Sequence, residues 1–373
     1  MSIKGTIASQ LNNVRFFKEL FPISLLARNA ITFPLDYLSP SGFAHPPMVI
    51  NCLLTSRCNL KCKMCSAYDF RQAKFKEMQV TDLQRLVQQV RHFSPSFYFG
   101  GGEPLIRDDI VALVQTVKDA GLRLGIVSNG LRLTSDIRRD FIRFGLDHIL
   151  ISIHGPEETH DTITGVKGSF KKTTSNIEAF CREKKKTFVM LNFVVSSDNL
   201  HKMRDLVLLG KELGVDKVRI EHLLFITEEE RQVHEEWCDM MCPPPLMAMK
   251  EVSTLVCQIG AVRDFSMELP LLVNEIKKEF GDFVFVKPAL SEKEIEAWYS
   301  HRYRSQRRCV FVWRSLFIDP EGNVIPCQHY AGLTMGNINK EPLLEIWNSR
   351  RYRMFRSLIR RGIAPGCSRC CKI

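Results

Sequence analysis

Cys58, Cys62 and Cys65 stand at C-x3-C-x2-C spacing in a chain of 373 residues with 13 cysteines. Thiolates are soft ligands that select iron–sulfur clusters, zinc or Cu(I). Structural zinc and iron–sulfur sites normally take four protein ligands. Three cysteines on one short loop, with no fourth nearby, therefore point to an iron left open for a substrate or cofactor. The other readings are a zinc site completed by a distant Cys or His, and three unrelated buried thiols. A second stretch bears on the choice. Residues 99–104 read Phe-Gly-Gly-Gly-Glu-Pro, straight after an apolar run. Glycines at a strand end let backbone come close to a ligand, and a Glu beside them can hold an ammonium group.

The two stretches lie about forty residues apart with a helical pattern between them. From about residue 47 to the C-terminus the chain resembles the radical S-adenosylmethionine (SAM) superfamily. The resemblance implies that Cys58, Cys62 and Cys65 bind three irons of a [4Fe-4S] cluster and that the amino and carboxylate groups of SAM chelate the fourth. One electron, from a flavodoxin- or ferredoxin-type donor, then cleaves SAM to methionine and a 5′-deoxyadenosyl radical, which abstracts hydrogen from a substrate. The cofactor carries the hard step and the protein supplies position and exclusion of water. Gly101, Gly102 and Glu103 are expected to hold the methionine amino group. Met64 stands where relatives often carry an aromatic residue, and its thioether can pack on adenine.

Positioning these groups requires a scaffold, and residues 47–224 supply its pattern. Strand-like runs at 48–54, 96–100, 122–128, 147–153, 187–195 and 216–221 alternate with helical patterns near 81–93, 108–120, 134–144, 170–184 and 199–213. Thr81 with Gln84 reads as a capping box for the first helix. Six strand–helix repeats imply a parallel sheet with right-handed crossovers. The expected fold is an α/β (β/α)6 partial TIM barrel, with chemistry at the C-terminal strand ends. Ser128 and Asn129 end the third strand, Ser152 and His154 the fourth, and Glu221 and His222 the sixth. Ser152 matches a SAM-contacting serine of the family. The arginine that often neutralises the SAM carboxylate is replaced by Thr164, and Lys167 is close enough in sequence to substitute. His154 is expected to bond ribose or substrate, or to act with Glu221 as acid or base near neutral pH; a structural hydrogen bond is the alternative.

The C-terminal segment 301–373 forms a second unit. Cys309 and Cys327 flank a hairpin pattern with Asp319-Pro-Glu-Gly322 at its turn. Cys367, Cys370 and Cys371 close the chain. This resembles the SPASM/twitch extension of radical SAM proteins. It implies an auxiliary [4Fe-4S] cluster on Cys309, Cys327, Cys367 and Cys370, with Cys371 able to replace Cys370, and with net oxidation as its use. A zinc ribbon on the same thiolates is the other reading. Residues 225–300 are expected to be a helical linker or lid, and Cys238, Cys242 and Cys257 there suggest a further metal site. Residues 1–46 contain an apolar stretch, among them Phe16, Phe17 and Leu20, that fits amphipathic helices capping the barrel or making peripheral membrane contact.

Clustered cysteines, an odd cysteine count and no signal-peptide pattern favour a reducing cytoplasm. The net charge is +11, and residues 301–373 alone carry fourteen basic and four acidic side chains, a net of +10. That suits an acidic partner or an anionic substrate. No aromatic-interleaved RNA motif accompanies it, which disfavours nucleic acid. The expected activity is therefore radical-based oxidation or rearrangement of a small metabolite, with peptide maturation as the alternative within the family. A zinc-stabilised basic nucleic-acid-binding module is the rival outside it.

Overall fold

The computed structural model describes residues 21–65, 75–252, 256, 263–300 and 303–372. The expectations placed on Phe16, Phe17, Leu20 and Cys257 fall outside them. Helix α1 (Ile23–Leu38) precedes six strands: β1 (Val49–Thr55), β2 (Ser96–Gly101), β3 (Leu124–Ser128), β4 (His148–Ser152), β5 (Phe188–Val194) and β6 (Lys217–Glu221). They pair in chain order and in parallel. The crossovers run through α2 (Val80–Val90), α3 (Ile110–Asp119), α4 (Ser135–Phe144), α5 (Glu157–Thr164), α6 (Ser169–Glu183) and α7 (Met203–Glu212). This is the expected α/β partial barrel. α2 starts one residue before Thr81, and its capping box is Gln79 with Asp82 rather than Thr81 with Gln84.

Strand alternation divides the side chains into two sets. Ile50, Cys52, Leu54, Phe97, Phe99, Ile149, Ile151, Leu191, Phe193, Val218 and Ile220 are buried in the main hydrophobic core. The residues between them, such as Asn51, Tyr98, Leu150, Asn192 and Arg219, face a single interior cavity. Phe21 and Leu25 cluster with Met48, Val49 and Tyr98 at the N-terminal strand ends, and Phe21 also meets Leu150 and Met190. They form a floor at the end remote from the cysteine loop.

The sheet is wider than six strands. The segment expected to be only helical does contain α8 (Glu228–Met241), α9 (Arg263–Phe280) and α10 (Glu292–Trp298). It also contributes β7 (Val284–Lys287), parallel to β6. Val284 and Val286 are buried, whereas Phe285 and Lys287 face the cavity. Four residues are too few to stand out between helical patterns, and the pairing partner supplies the missing stabilisation. At the other edge, β8 (Ser315–Ile318) runs parallel to β1 and forms a hairpin with β9 (Asn323–Ile325). The turn is where the sequence puts it, with Asp319 accepting from the backbone of Glu321 and Asn323. Cys309 and Cys327 lie at its outer ends. A short β10 (Gly336–Asn337), α11 (Leu343–Trp347) and α12 (Arg350–Arg361) follow. Among the described residues no helix is long and apolar enough to cross a membrane.

Candidate active site

The cavity enclosed by the curved sheet measures about 890 Å³. Cys58, Cys62, Met64 and Cys65 line it from the loop after β1. That loop is fixed from three sides. The amides of Gly102 and Glu103 donate to the carbonyls of Thr55 (2.7 Å) and Arg57 (2.8 Å). The amides of Lys61 and Lys63 donate to Thr164 (2.8 Å) and Ile163 (3.0 Å) at the end of α5. Asn129 Nδ2 donates to Asn59 Oδ1 at 2.7 Å. The three cysteines are thus presented on a backbone that is already tied down.

The three glycines have unequal jobs. A Cβ on Gly101, at φ +118°, would lie 2.4 Å from the Thr55 carbonyl oxygen, and one on Gly102 would lie 2.1 Å from that of Arg57. Those two glycines admit the cysteine loop itself. Only Gly100 faces open space within the cavity, with nothing inside 4 Å of its missing Cβ. Close backbone approach was expected for a ligand; at Gly101 and Gly102 it serves the protein chain. Arg107, which carries no motif signal, completes the clamp. Buried, it donates to the carbonyls of Leu54 and Met78, both at 2.8 Å, and pairs with Asp109.

Glu103 is buried at the bottom of this clamp. It accepts from Ser128 Oγ (2.7 Å) and from the amides of Asn129 (2.6 Å) and Leu105 (3.0 Å). Burial outweighs these bonds and pushes its pKa up to about 7. Among the described residues no cation contributes to its ionisation, so the group can take an ammonium as partner. Ser128, Asn129, Ser152 and Thr164 line the same end. Lys167 does not; it lines a separate surface depression with Glu157 and Asp161.

His154 and Glu221 both face the cavity. The His154 ring stacks on His160 at 5.9 Å, and burial lowers its pKa to about 3. It is a neutral imidazole at physiological pH, so the near-neutral titration expected of it is absent. Its amide donates to His160 Nδ1 at 3.1 Å, and its carbonyl accepts from Asn199. Burial alone would raise the pKa of Glu221, but Arg219, Lys287 and the Cys371 thiol outweigh it and hold the carboxylate ionised. Arg219 bonds Glu221 at 2.8 Å and Asn192 at 2.7 Å. His222 is pushed down to about 4 by burial, and its ring meets Tyr299 Oη at 3.1 Å.

The C-terminal tail spans the gap between the two outer edges of the parallel sheet. Cys371 meets Glu221 of β6 and lies in the field of Lys287 of β7. The next residue, Lys372, lays its ammonium over the rings of Phe311 (4.5 Å) and of Phe317 in β8 (4.2 Å). Arg369 anchors the tail, buried against Phe225 at 4.2 Å and ion-paired to Glu230. The cavity therefore gains Arg219, Lys287, Arg307, Arg314 and Lys372, none of which the sequence motifs single out.

The thiols of Cys309, Cys327 and Cys367 lie within one another's electrostatic reach, and Cys370 lies within that of Cys327. Burial, reinforced by neighbouring thiols, pushes Cys309 up to about 11 and also raises Cys327 and Cys367. Cys370 is raised by its hydrogen bond to Cys371 and then by burial. Thiols are donors of the kind an iron–sulfur cluster takes, because bound metal deprotonates a coordinating thiol. Cys370 Sγ also accepts the Lys372 amide at 3.4 Å, whereas Cys371 turns to the cavity. Cys238 is hydrogen-bonded to the Cys242 thiol and sits 3.6 Å from His234 Nε2, within the field of Cys367. Among the described residues, no three Cys, His, Asp or Glu side chains, here or at either cysteine group, are drawn together closely enough to hold a metal ion as they lie.

Residues 52–209 match the family model described as Radical SAM superfamily, and residues 309–371 match that of the SPASM iron-sulfur cluster-binding domain. The AdoMet-dependent heme synthase of Methanosarcina barkeri is 27% identical over 84% of this chain and 86% of its own. The PqqA peptide cyclase of Rhodopseudomonas palustris is 24% identical over 82% of this chain and 76% of its own. The structure of Streptococcus suis SuiB bound to S-adenosylmethionine superposes with TM-score 0.60 at 16% identity, over 81% of this chain and 66% of that one. The cysteine loop on a parallel partial barrel, and the thiol quartet beyond its edge strand, are thus both accounted for: the chain is an enzyme of the radical SAM superfamily with a C-terminal SPASM iron–sulfur domain.

Proposed function

We propose that this enzyme abstracts hydrogen from a small anionic substrate whose charge is received by the cationic side of the cavity. The observation that carries the proposal is Lys372. Its Nζ is buried, lines the cavity wall and has no hydrogen-bond acceptor among the described residues. A buried ammonium without an acceptor is costly and marks where an anion belongs. Arg314 Nε is likewise buried without a partner among the described residues. Arg219 and Lys287 add positive charge, with Glu221 as their single acidic neighbour on the strands β6 and β7. With its cluster and SAM bound, the Cys58/Cys62/Cys65 end supplies a 5′-deoxyadenosyl radical. The chain's own residues then orient the substrate below it and exclude water. Heme is a carboxylate-bearing tetrapyrrole, so similarity to a heme synthase supports this charge class. Similarity to a peptide cyclase supports a peptide substrate as the second reading.

Deuterium-labelled candidates tell these apart. Reconstituted enzyme is expected to move deuterium into 5′-deoxyadenosine from a carboxylate- or phosphate-bearing metabolite. Lys372→Gln should raise KM for that substrate by about tenfold, the loss of one charged hydrogen bond, and leave SAM cleavage in place. Deuterium transfer from a peptide and from no anionic metabolite would defeat the proposal.

We further propose that Glu103 receives the SAM ammonium. Its folded pKa of about 7 lies above the ordinary 4.5. The protonated group therefore contributes stability at low pH that is lost as the pH rises through about 7. An ammonium partner reverses the preference, so binding below that pH must release a proton. SAM affinity is expected to climb with pH, roughly tenfold per unit, and to level off near pH 7. Calorimetry in buffers of different ionisation enthalpy reads the proton release directly. Glu103→Gln should flatten the profile; a flat profile in the unaltered enzyme would assign the ammonium to another group.

A further inference from the structure

Helix α1 turns one face to the barrel floor and the other to solvent, and the solvent face is the wrong kind. Phe33 and Tyr37 pack toward Trp313 and Arg314, and Leu25 is buried. The exposed positions are Ile23, Ser24, Ala27, Ala30, Ile31, Pro34, Leu35 and Leu38, with no charged residue among them. Ile23 is 66%, Ile31 70%, Leu35 62% and Leu38 73% exposed. A surface helix of a water-soluble domain carries its charges on that face. The two charged residues of α1 are both used internally. Arg28 donates to the carbonyl of Phe93, and Asp36 is buried against His45.

The border of this face is basic. Arg360 donates to the carbonyls of Leu38 (3.2 Å) and Ser39 (2.6 Å), which brings α12 against the end of α1. Arg308 in turn donates to the Arg360 carbonyl at 2.8 Å. Helix α12 has six arginines and no acid, and Arg308, Arg353 and Arg361 are exposed. The loop from α1 to β1 adds Phe43, which is 45% exposed, and Gly42, where a Cβ would lie 2.4 Å from the Arg353 carbonyl oxygen of α12. An uncharged apolar stripe edged by arginines is complementary to a surface with an apolar interior and anionic headgroups. It lies at the N-terminal strand ends, away from the cysteine loop, so occupation of it leaves the active site open.

We propose that this face, α1 together with the exposed arginines of α12 and Arg308, docks on an anionic lipid bilayer. The full chain, carrying its clusters, is mixed with vesicles of phosphatidylcholine alone or with phosphatidylglycerol, and bound protein is separated by flotation. Binding is expected to phosphatidylglycerol vesicles and to weaken with salt. Paired Leu35→Glu and Leu38→Glu substitutions should lower the partition coefficient by more than about tenfold, and Arg353→Gln with Arg361→Gln by about fivefold per charge removed. Iron content and SAM cleavage should stay unchanged in every variant, which separates lost docking from lost folding. The proposal is overturned if the chain ignores phosphatidylglycerol vesicles, or if the glutamate pair leaves flotation unchanged. It is also overturned if light scattering shows a dimer that the glutamate pair dissociates, because the occupant is then a second copy of this chain.

Discussion

Alanine at any one of Cys58, Cys62 or Cys65 is expected to bring 5′-deoxyadenosine release to background. The expectation follows from stoichiometry and from the way the loop is held. Three thiolates on one loop leave one iron of a four-iron cluster open, and the other described cysteines lining the cavity, Cys52 on β1 and Cys371 in the C-terminal tail, lie outside that loop. The loop cannot slide to compensate, since the amides of Lys61 and Lys63 are committed to the carbonyls of Thr164 and Ile163, and the carbonyls of Thr55 and Arg57 accept from the amides of Gly102 and Glu103. Even loss of a group that merely orients a metal ligand typically costs 10- to 100-fold, and loss of a ligand should exceed that. The measurement is anaerobic reconstitution with iron, sulfide, reductant and SAM, followed by product analysis, with iron content and visible spectrum recorded on each variant. The folded barrel should survive, because the β1–β2 and β1–β8 pairings do not involve these side chains. A Cys62→Ala protein that still released product at the unaltered rate would remove the loop from the chemistry. A colourless protein loaded with zinc would replace the redox reading by a structural one.

Loss of the second thiol group is expected to separate SAM cleavage from product formation. A cluster held by four cysteines has no open iron for a substrate, so the chemistry it supplies is electron transfer. Cys309→Ala, Cys367→Ala and Cys370→Ala should each lose about half the iron, one of two clusters. They should still release 5′-deoxyadenosine slowly and yield no oxidised product. Cys371→Ser should keep its iron, since Cys371 faces Glu221 in the cavity and the Cys370 sulfur takes the Lys372 amide. Retained iron in Cys370→Ala together with lost iron in Cys371→Ser would exchange the two roles. Undiminished product formation by a folded protein lacking this group would make it a structural staple for the tail that spans β6 and β8.

Sequence determined most of the scaffold and the first half of the site. The alternation of strand and helix periods is a short-range property, dictated by which face each residue must bury, so six strands fall within two residues of their expected limits. The cysteine loop, Gly-Gly-Gly-Glu and Ser152 lie directly at strand exits, and parallel topology then gathers strand exits at one end of the barrel. What lies beyond this depended on contacts between residues far apart in the chain. Gly102 meets Arg57, which no local pattern announces. β7 is stable as a strand because β6 is beside it, and its Val-Phe-Val-Lys run is too short to signal alone. Lys372 reads as one more charge in a basic tail until Arg369 anchors that tail and aims it across the sheet opening. His154 reads as a near-neutral titrating group, and the depth of its burial, a property of the assembled cavity, removes that character. Strand order and ligand spacing are written in the chain because they are local; solvation and charge inside the cavity are fixed only when distant segments close around it.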